Sequence, residues 1–185
     1  MNIVCPICNP VYDTPKRPIK TILVLIIPLL ILPTLLSAAQ FKVTRVIDGD
    51  TIKAQSHDVE IRVILVGIDA PETSKKKSEL GQPYSQSAKE YLAELILNKT
   101  VDIKFHGLDK YDRALGVIVL EGKNINLEMV RAGLAEAYRG KPASKFNPFP
   151  YLSAEEEARE AKRGMWSLGD EYISPKEWRK MHRVR

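Results

Sequence analysis

Short runs of alternating apolar and polar residues recur along the middle of the chain. Such alternation is typical of strands that bury one face. The runs cover residues 41–47, 51–55, 59–68, 100–106 and 114–120. We therefore predict five short strands.

Apolar residues at helical spacing mark segments between and after these strands. Helices are predicted over 83–98 and 124–137, and a charged helix over 152–163. Ser174 to Glu177 has the pattern of a capping box that begins a further short helix. Five strands interrupted by a helix predict an α+β fold, a five-stranded Greek-key β-barrel of the oligonucleotide-binding type with three packed helices.

The N-terminal segment has the pattern of a targeting sequence. Residues 21–36 are uncharged and apolar, with basic residues before them and small residues up to Ala39 after them. This pattern predicts a signal peptide over 1–39, cleaved after Ala39. The run is also nearly long enough for an uncleaved membrane anchor within 21–39. Either alternative places the remainder outside the cytoplasm, as a secreted, periplasmic or cell-surface protein, and the N-terminal residue of the mature product decides between them.

The composition of the chain is mildly basic. Its 185 residues include 28 Lys and Arg against 23 Asp and Glu, a net charge of +5. This excess permits an anionic partner without identifying one. Cys5 and Cys8 both precede the apolar run, so the domain that follows has no disulfide.

Two regions follow the targeting segment. We expect a folded domain over 40–168 and a basic C-terminal extension over 169–185. Within the extension, residues 174–185 carry five Lys and Arg against Glu177 alone. This pattern indicates either a solvated helix or a helix that adds contacts to nucleic acid.

Four acidic residues stand at predicted strand ends. Asp48 and Asp50 lie in a turn between strands, and Asp69 and Glu72 follow the third strand. Strand ends of a barrel can converge on one mouth, where such carboxylates repel one another unless a cation is present. Hard oxygen ligands favour Ca²⁺ or Mg²⁺ over zinc. The alternative is that these acids only form turns and face water.

A charged loop supplies candidate phosphate-binding groups. Arg113 ends the loop that begins at Asp109, and a planar guanidinium fits phosphate oxygens. Tyr111 lies beside Lys110, which suits a base or sugar next to a phosphate. Carboxylates, a hard cation and an arginine together predict phosphodiester hydrolysis, because the cation and guanidinium neutralise charge while a carboxylate deprotonates water.

These motifs resemble the thermonuclease (staphylococcal nuclease-like) family. The resemblance extends over roughly residues 41–168 and rests on Val46-Ile47-Asp48-Gly49-Asp50-Thr51, Gly67-Ile68-Asp69-Ala70-Pro71-Glu72-Thr73, Asp109-Lys110-Tyr111-x-Arg113, Asn126-Leu127-Glu128-Met129-Val130-Arg131-Ala132-Gly133-Leu134-Ala135 and Gly164-Met165-Trp166. Each motif alone is weak, and five in order are strong. The resemblance implies Ca²⁺-dependent cleavage of DNA and RNA, with Mg²⁺ less favoured, and products that end in 3′-phosphates.

The resemblance also implies roles for individual residues. Asp50 and Asp69 would bind the metal through their side chains, and Ala70 through its carbonyl. Glu72 would be the general base, and Arg113 would stabilise the phosphoryl charge and the leaving oxygen. The implied substrate-binding residues are Lys110, Tyr111 and Tyr138. We expect a monomer that binds DNA and RNA, and that contacts a membrane only through an uncleaved N-terminal segment.

One position departs from the family pattern. The family usually carries an arginine five residues before the metal-binding aspartate, where this chain has Ile64. Arg62 lies two residues earlier, on the same side of the strand but displaced by about 6–7 Å. We include Arg62 among the catalytic residues on the expectation that its length or a local bulge returns the guanidinium to the site. The alternative is a catalytically weakened nucleic-acid-binding module on the same barrel.

Overall fold

A computed structural model describes residues 40–74 and 80–182. The predicted targeting segment over 1–39 lies outside the described residues, and so do Cys5 and Cys8. Its cleavage or retention therefore stays a prediction. Among the residues that the structure describes, no helix is long and apolar enough to cross a membrane.

Five strands form a closed barrel. They are β1 (Gln40–Val46), β2 (Thr51–Ser56), β3 (Val59–Leu65), β5 (Thr100–Leu108) and β6 (Ala114–Leu120), and a short β4 (Ile68–Asp69) follows β3. The strand order is β3-β2-β1-β5-β6. Neighbours are antiparallel, and the parallel pairing of β3 with β6, from Val63 opposite Ala114 to Leu65 opposite Gly116, closes the barrel. The predicted α+β barrel is confirmed.

Helices and two further short strands follow in chain order. They are α1 (Ser85–Ile96), β7 (Lys123–Asn124), α2 (Ile125–Arg131), β8 (Glu136–Ala137), α3 (Phe149–Glu160), a 3₁₀ helix (Gly164–Glu171) and α4 (Pro175–Met181). Helix α1 buries Ala88, Leu92 and Ile96 at the four-residue spacing that places side chains on one face. These side chains join the interior of the barrel in one core.

Two predicted elements end earlier than the pattern suggests. The strand predicted over 59–68 ends at Leu65, and the left-handed turn at Gly67 redirects the chain into β4. The helix predicted over 124–137 ends at Arg131, and the chain then pairs β8 with β4. This second correction matters for function, because β8 holds the edge of β4 on which Asp69 lies.

Helix α2 is fixed to the barrel by one buried amide. Asn126 is fully buried, and its Nδ2 donates to the carbonyls of Val66 (2.9 Å) and Gly116 (3.0 Å). Its Oδ1 accepts the N–H of Ile118 at 3.0 Å. These bonds join α2 to β6 and to the turn between β3 and β4, so they position the segment that carries Asp69.

Candidate active site

The turn between β1 and β2 holds Asp50 against the chain that follows β4. Asp48 Oδ1 accepts the N–H of Asp50 at 3.2 Å, and Asp50 Oδ1 accepts the Thr51 hydroxyl at 2.8 Å. Asp50 Oδ2 accepts the N–H of Ala70 at 3.2 Å. This last bond joins the two acidic corners that the sequence separates by 20 residues.

Gly49 allows the two corners to approach this closely. A Cβ at this position would lie 2.7 Å from Ala70 Cβ and 2.8 Å from Ala88 Cβ, closer than carbon atoms pack. Only a residue without a side chain therefore fits between the corner and α1. The Asp-Gly-Asp turn and the small Ala70 together bring the backbone of one corner to the carboxylate of the other.

The carboxylates of the two corners repel each other. Burial raises the pKa of Asp50 well above its ordinary value, and the negative charges of Asp48 and Asp69 raise it further. The Thr51 hydroxyl opposes the shift by donating to Asp50. The ionised form of Asp50 is thus held at an electrostatic cost, which a nearby cation would relieve.

Asp69 and Glu72 stand at the second corner. Asp69 is buried on β4, directly opposite Glu136 on β8. Glu72 is half-buried, and its backbone N–H donates to Gln82 Oε1 at 3.1 Å. The side chains of Asp69 and Glu72 share a cationic partner, since Arg179 Nη1 donates to Asp69 Oδ1 at 2.8 Å and to Glu72 Oε1 at 2.6 Å.

Arg113 is oriented by an acid in its own loop. Asp109 Oδ2 accepts Arg113 Nε at 2.8 Å and lies 2.6 Å from Nη2. Asp109 Oδ1 accepts the backbone N–H groups of Tyr111 and Arg113 at 2.9 Å each. Burial opposes the shift, but these hydrogen bonds lower the pKa of Asp109, so it stays ionised and holds the guanidinium. Asp112 takes the left-handed conformation that closes the loop (φ 56°).

One cleft of about 1090 Å³ collects most of the predicted residues. The predicted residues that line it are Asp50, Arg62, Asp69, Glu72, Tyr111, Arg113 and Tyr138. Ala70 is buried behind its wall. Lys110 does not line the cleft, and its ammonium lies 4.9 Å from the centre of the Tyr111 ring. The acids and Arg113 therefore face the same space.

The acids have the chemistry of a hard-cation site with few side-chain ligands. Across residues 40–74 and 80–182, no group of three or more His, Cys, Asp or Glu side chains is arranged to hold a metal ion. Asp50 and Asp69 would form a set of two side chains completed by backbone oxygen, as the resemblance implies. The repulsion between these two carboxylates and their all-oxygen donors fit Ca²⁺ or Mg²⁺.

A comparison with known families agrees with this geometry. A family model described as staphylococcal nuclease homologue matches residues 62–168, more than half of the chain. The chain belongs to the staphylococcal nuclease homologue family. The predicted family resemblance is thus confirmed.

Relatives within this family carry names of nucleases. An uncharacterized endonuclease of Haemophilus influenzae is 34% identical over 168 residues, covering 87% of this chain and 87% of its own length. An uncharacterized endonuclease of Escherichia coli O157:H7 is 38% identical over 149 residues, covering 80% of this chain and 89% of its own length. A probable endonuclease LCL3 of Leptosphaeria maculans is 33% identical over 115 residues, covering 59% of this chain and 38% of its own length.

The position that departs from the family pattern lies in the cleft wall. Ile64 and Arg62 both line the cleft from β3, opposite Thr51 and Lys53 of β2 respectively. Arg62 is exposed, and within the part of the chain that the structure describes it makes no hydrogen bond or ion pair. The alternation of the strand thus directs Arg62 to the expected side, farther along β3 than Ile64.

Three site residues were not predicted from the sequence. Arg179, Trp178 and His182 belong to α4 or follow it directly, and all three line the cleft. The basic character of residues 174–185 was a signal for an anionic neighbour. It did not identify Asp69 and Glu72 as that neighbour, because Arg179 and Asp69 are 110 residues apart in the chain.

Proposed function

We propose that this protein is an endonuclease that hydrolyses phosphodiester bonds of DNA and RNA with the help of Ca²⁺, or less favourably Mg²⁺. The observation that carries this proposal is the meeting of two acidic corners in one cleft, through the hydrogen bond from Ala70 N–H to Asp50. Glu72 and Arg113 line the same cleft. Family membership and the endonuclease names of the relatives support the same activity.

The acidic corners would bind the cation. Asp50 and Asp69 supply side-chain oxygens, and the Ala70 carbonyl is the expected backbone ligand. A divalent cation bound there would neutralise phosphate charge and so make the phosphorus more open to attack. The raised pKa of Asp50 supports this assignment, because a bound cation favours the ionised carboxylates that otherwise repel each other.

Glu72 and Arg113 would carry out the proton and charge transfers. Glu72 accepts a proton from the attacking water while the water oxygen bonds to phosphorus. The P–O5′ bond breaks, the 5′ oxygen takes up a proton from solvent, and the phosphate stays on the 3′ oxygen. Arg113 stabilises the phosphoryl charge from the position in which Asp109 holds it.

The remaining cleft residues would hold the nucleic acid. Tyr111 is 66% exposed and Tyr138 is 48% exposed, so both rings are free to stack on bases or sugars. Lys110 and Arg62 would add positive charge along the backbone of the substrate. We propose that the protein acts as a monomer.

A cleavage assay with purified protein tests this proposal. Single-stranded and double-stranded DNA and RNA are incubated with Ca²⁺, with Mg²⁺ or with a chelator. We expect cleavage with Ca²⁺ and none with the chelator, and phosphatase should remove a phosphate from the 3′ ends of the products. Binding without cleavage under all conditions would instead select the alternative, a catalytically weakened binding module.

A further inference from the structure

Arg179 occupies the side-chain oxygens that a cation would need. Its Nη1 and Nη2 donate to the two oxygens of Asp69 at 2.8 Å and 2.7 Å. The same Nη1 donates to Glu72 Oε1 at 2.6 Å. The guanidinium thus pairs two-to-two with Asp69, the arrangement that fits a planar guanidinium to a carboxylate.

Contacts other than those of Arg179 also hold α4 at the cleft. Ser174 caps the helix by accepting the N–H of Glu177 at 3.2 Å. Just before it, the carbonyl of Ile173 accepts Gln82 Nε2 at 2.7 Å. Gln82 is buried, and its Oε1 accepts the N–H of Glu72 at 3.1 Å. One amide therefore ties the start of α4 to the corner that carries Glu72.

A second attachment lies one residue earlier in the chain. The Tyr172 hydroxyl donates to Glu136 Oε2 at 2.6 Å, and the Tyr172 ring packs on Trp166 with 4.5 Å between the ring centres. Because these contacts do not involve Arg179, loss of its ion pairs should leave α4 near the cleft. The guanidinium can then leave the carboxylates while the helix stays attached.

A divalent cation and the Arg179 guanidinium require the same oxygens. Two cations on one carboxylate would lie within a few ångströms of each other and repel strongly in a partly buried site. We propose that Arg179 is an internal counter-ion that competes with the divalent cation for Asp69 and Glu72. Binding of the cation moves the guanidinium off Asp69 and frees Glu72 to accept a proton. This inference rests on the proposed cation-dependent activity.

Cation affinity tests the competition directly. Ca²⁺ binding to the full-length protein is measured by titration calorimetry for the wild type, Arg179→Gln and Lys180→Gln. Lys180 is an exposed residue of the same helix, so its variant loses the same charge without losing the contacts to Asp69. We expect Arg179→Gln to bind Ca²⁺ about tenfold more tightly, which corresponds to about 1.4 kcal/mol. Lys180→Gln should bind like the wild type.

Hydrogen exchange in α4 gives a second measurement. Ca²⁺ should speed exchange of the Trp178 and His182 amides, which bond to Ser174 O and Trp178 O, because the helix loses its ion pairs to the cleft. In Arg179→Gln the same amides should exchange fast with or without Ca²⁺.

The outcomes separate this inference from the proposed function. Equal Ca²⁺ affinity in Arg179→Gln and Lys180→Gln would overturn the competition. If Asp69→Asn still abolished Ca²⁺ binding and cleavage in that case, the proposed function would stand. Absence of Ca²⁺ binding from the wild type and from Arg179→Gln, together with absence of cleavage, would remove both.

Discussion

At the scale of single residues, the acids of the cleft differ in how their charges are compensated. Asp69 and Glu72 share Arg179, whereas Asp50 has hydrogen-bond donors only from Thr51 and a backbone amide. Glu136 lies directly opposite Asp69 on β8 and is buried. The acid-rich centre therefore contains one glutamate that the sequence motifs did not single out.

The stability of the fold should depend on pH through Glu136. Burial raises the pKa of Glu136 above its ordinary value of 4.5; the Tyr172 hydrogen bond opposes this shift and the charge of Asp69 adds to it. The folded protein therefore holds this proton more tightly than the unfolded chain, so stability falls as pH rises from about 4.5 through the raised pKa.

Replacement of Glu136 by Gln should remove this penalty. Gln has the same shape and can still accept the Tyr172 hydroxyl. We expect Glu136→Gln to have a higher urea midpoint than the wild type at pH 7, with the difference disappearing below pH 4.5. The measurement is made in chelator, with Glu156→Gln on the exposed face of α3 as control. A gain that did not change with pH would contradict this account.

Much of the candidate site could be predicted at the residue scale because its chemistry lies in short motifs. Asp50, Asp69, Glu72 and Arg113 meet in the cleft as expected. Asp109 was named only as the start of the loop. Its role depends on an Asx turn in which one carboxylate accepts two backbone amides and the Arg113 side chain, and this geometry is visible only in the folded loop.

At the scale of elements, the position of the site depends on how α2 and the short strands are attached to the barrel. Asn126 replaces backbone pairing at the point where α2 crosses the strand ends. After α2, Gly133 takes a left-handed conformation, and a Cβ there would lie 2.1 Å from the carbonyl oxygen of Arg163. The chain then returns as β8 beside β4, which carries Asp69.

Loss of the Asn126 amide should destabilise the whole domain. Asn126→Ala leaves the carbonyls of Val66 and Gly116 and the N–H of Ile118 without their buried partner. Each buried unsatisfied group costs about 1–3 kcal/mol, so we expect a loss of about 3–5 kcal/mol in the free energy of unfolding. Urea denaturation measures it. Asn147→Ala, which removes an exposed amide, should cost less than about 1 kcal/mol, and equal losses in the two variants would refute the role of Asn126.

The element boundaries show where periodicity stops being informative. The strands at Gln40–Val46 and Ala114–Leu120 match their predicted runs closely, since long alternation admits few other structures. Residues 134–137 are apolar or small at helical spacing, but a two-residue strand uses them equally well. Which of these forms depends on contacts of Gly133 with a segment 30 residues later, and a local pattern does not contain that information.

At the scale of the whole molecule, the barrel and the C-terminal segment make one site together. The strands bring the two acidic corners to the cleft, and the 3₁₀ helix and α4 bring a cation to them. The barrel could be predicted because its strand pattern and motifs are local. The placement of α4 could not, because it depends on Gln82 and Tyr172 reaching partners far away in the chain.

The turnover of Glu72→Gln tests the central claim most directly. Cleavage of single-stranded DNA in Ca²⁺ is measured for the wild type, for Glu72→Gln and for Glu94→Gln, whose glutamate is exposed on α1 away from the cleft. Loss of the general base should lower turnover by about 10²–10⁴-fold in Glu72→Gln, while Glu94→Gln keeps the wild-type rate. A Glu72→Gln protein that is folded, binds Ca²⁺ and cleaves at the wild-type rate would contradict the account.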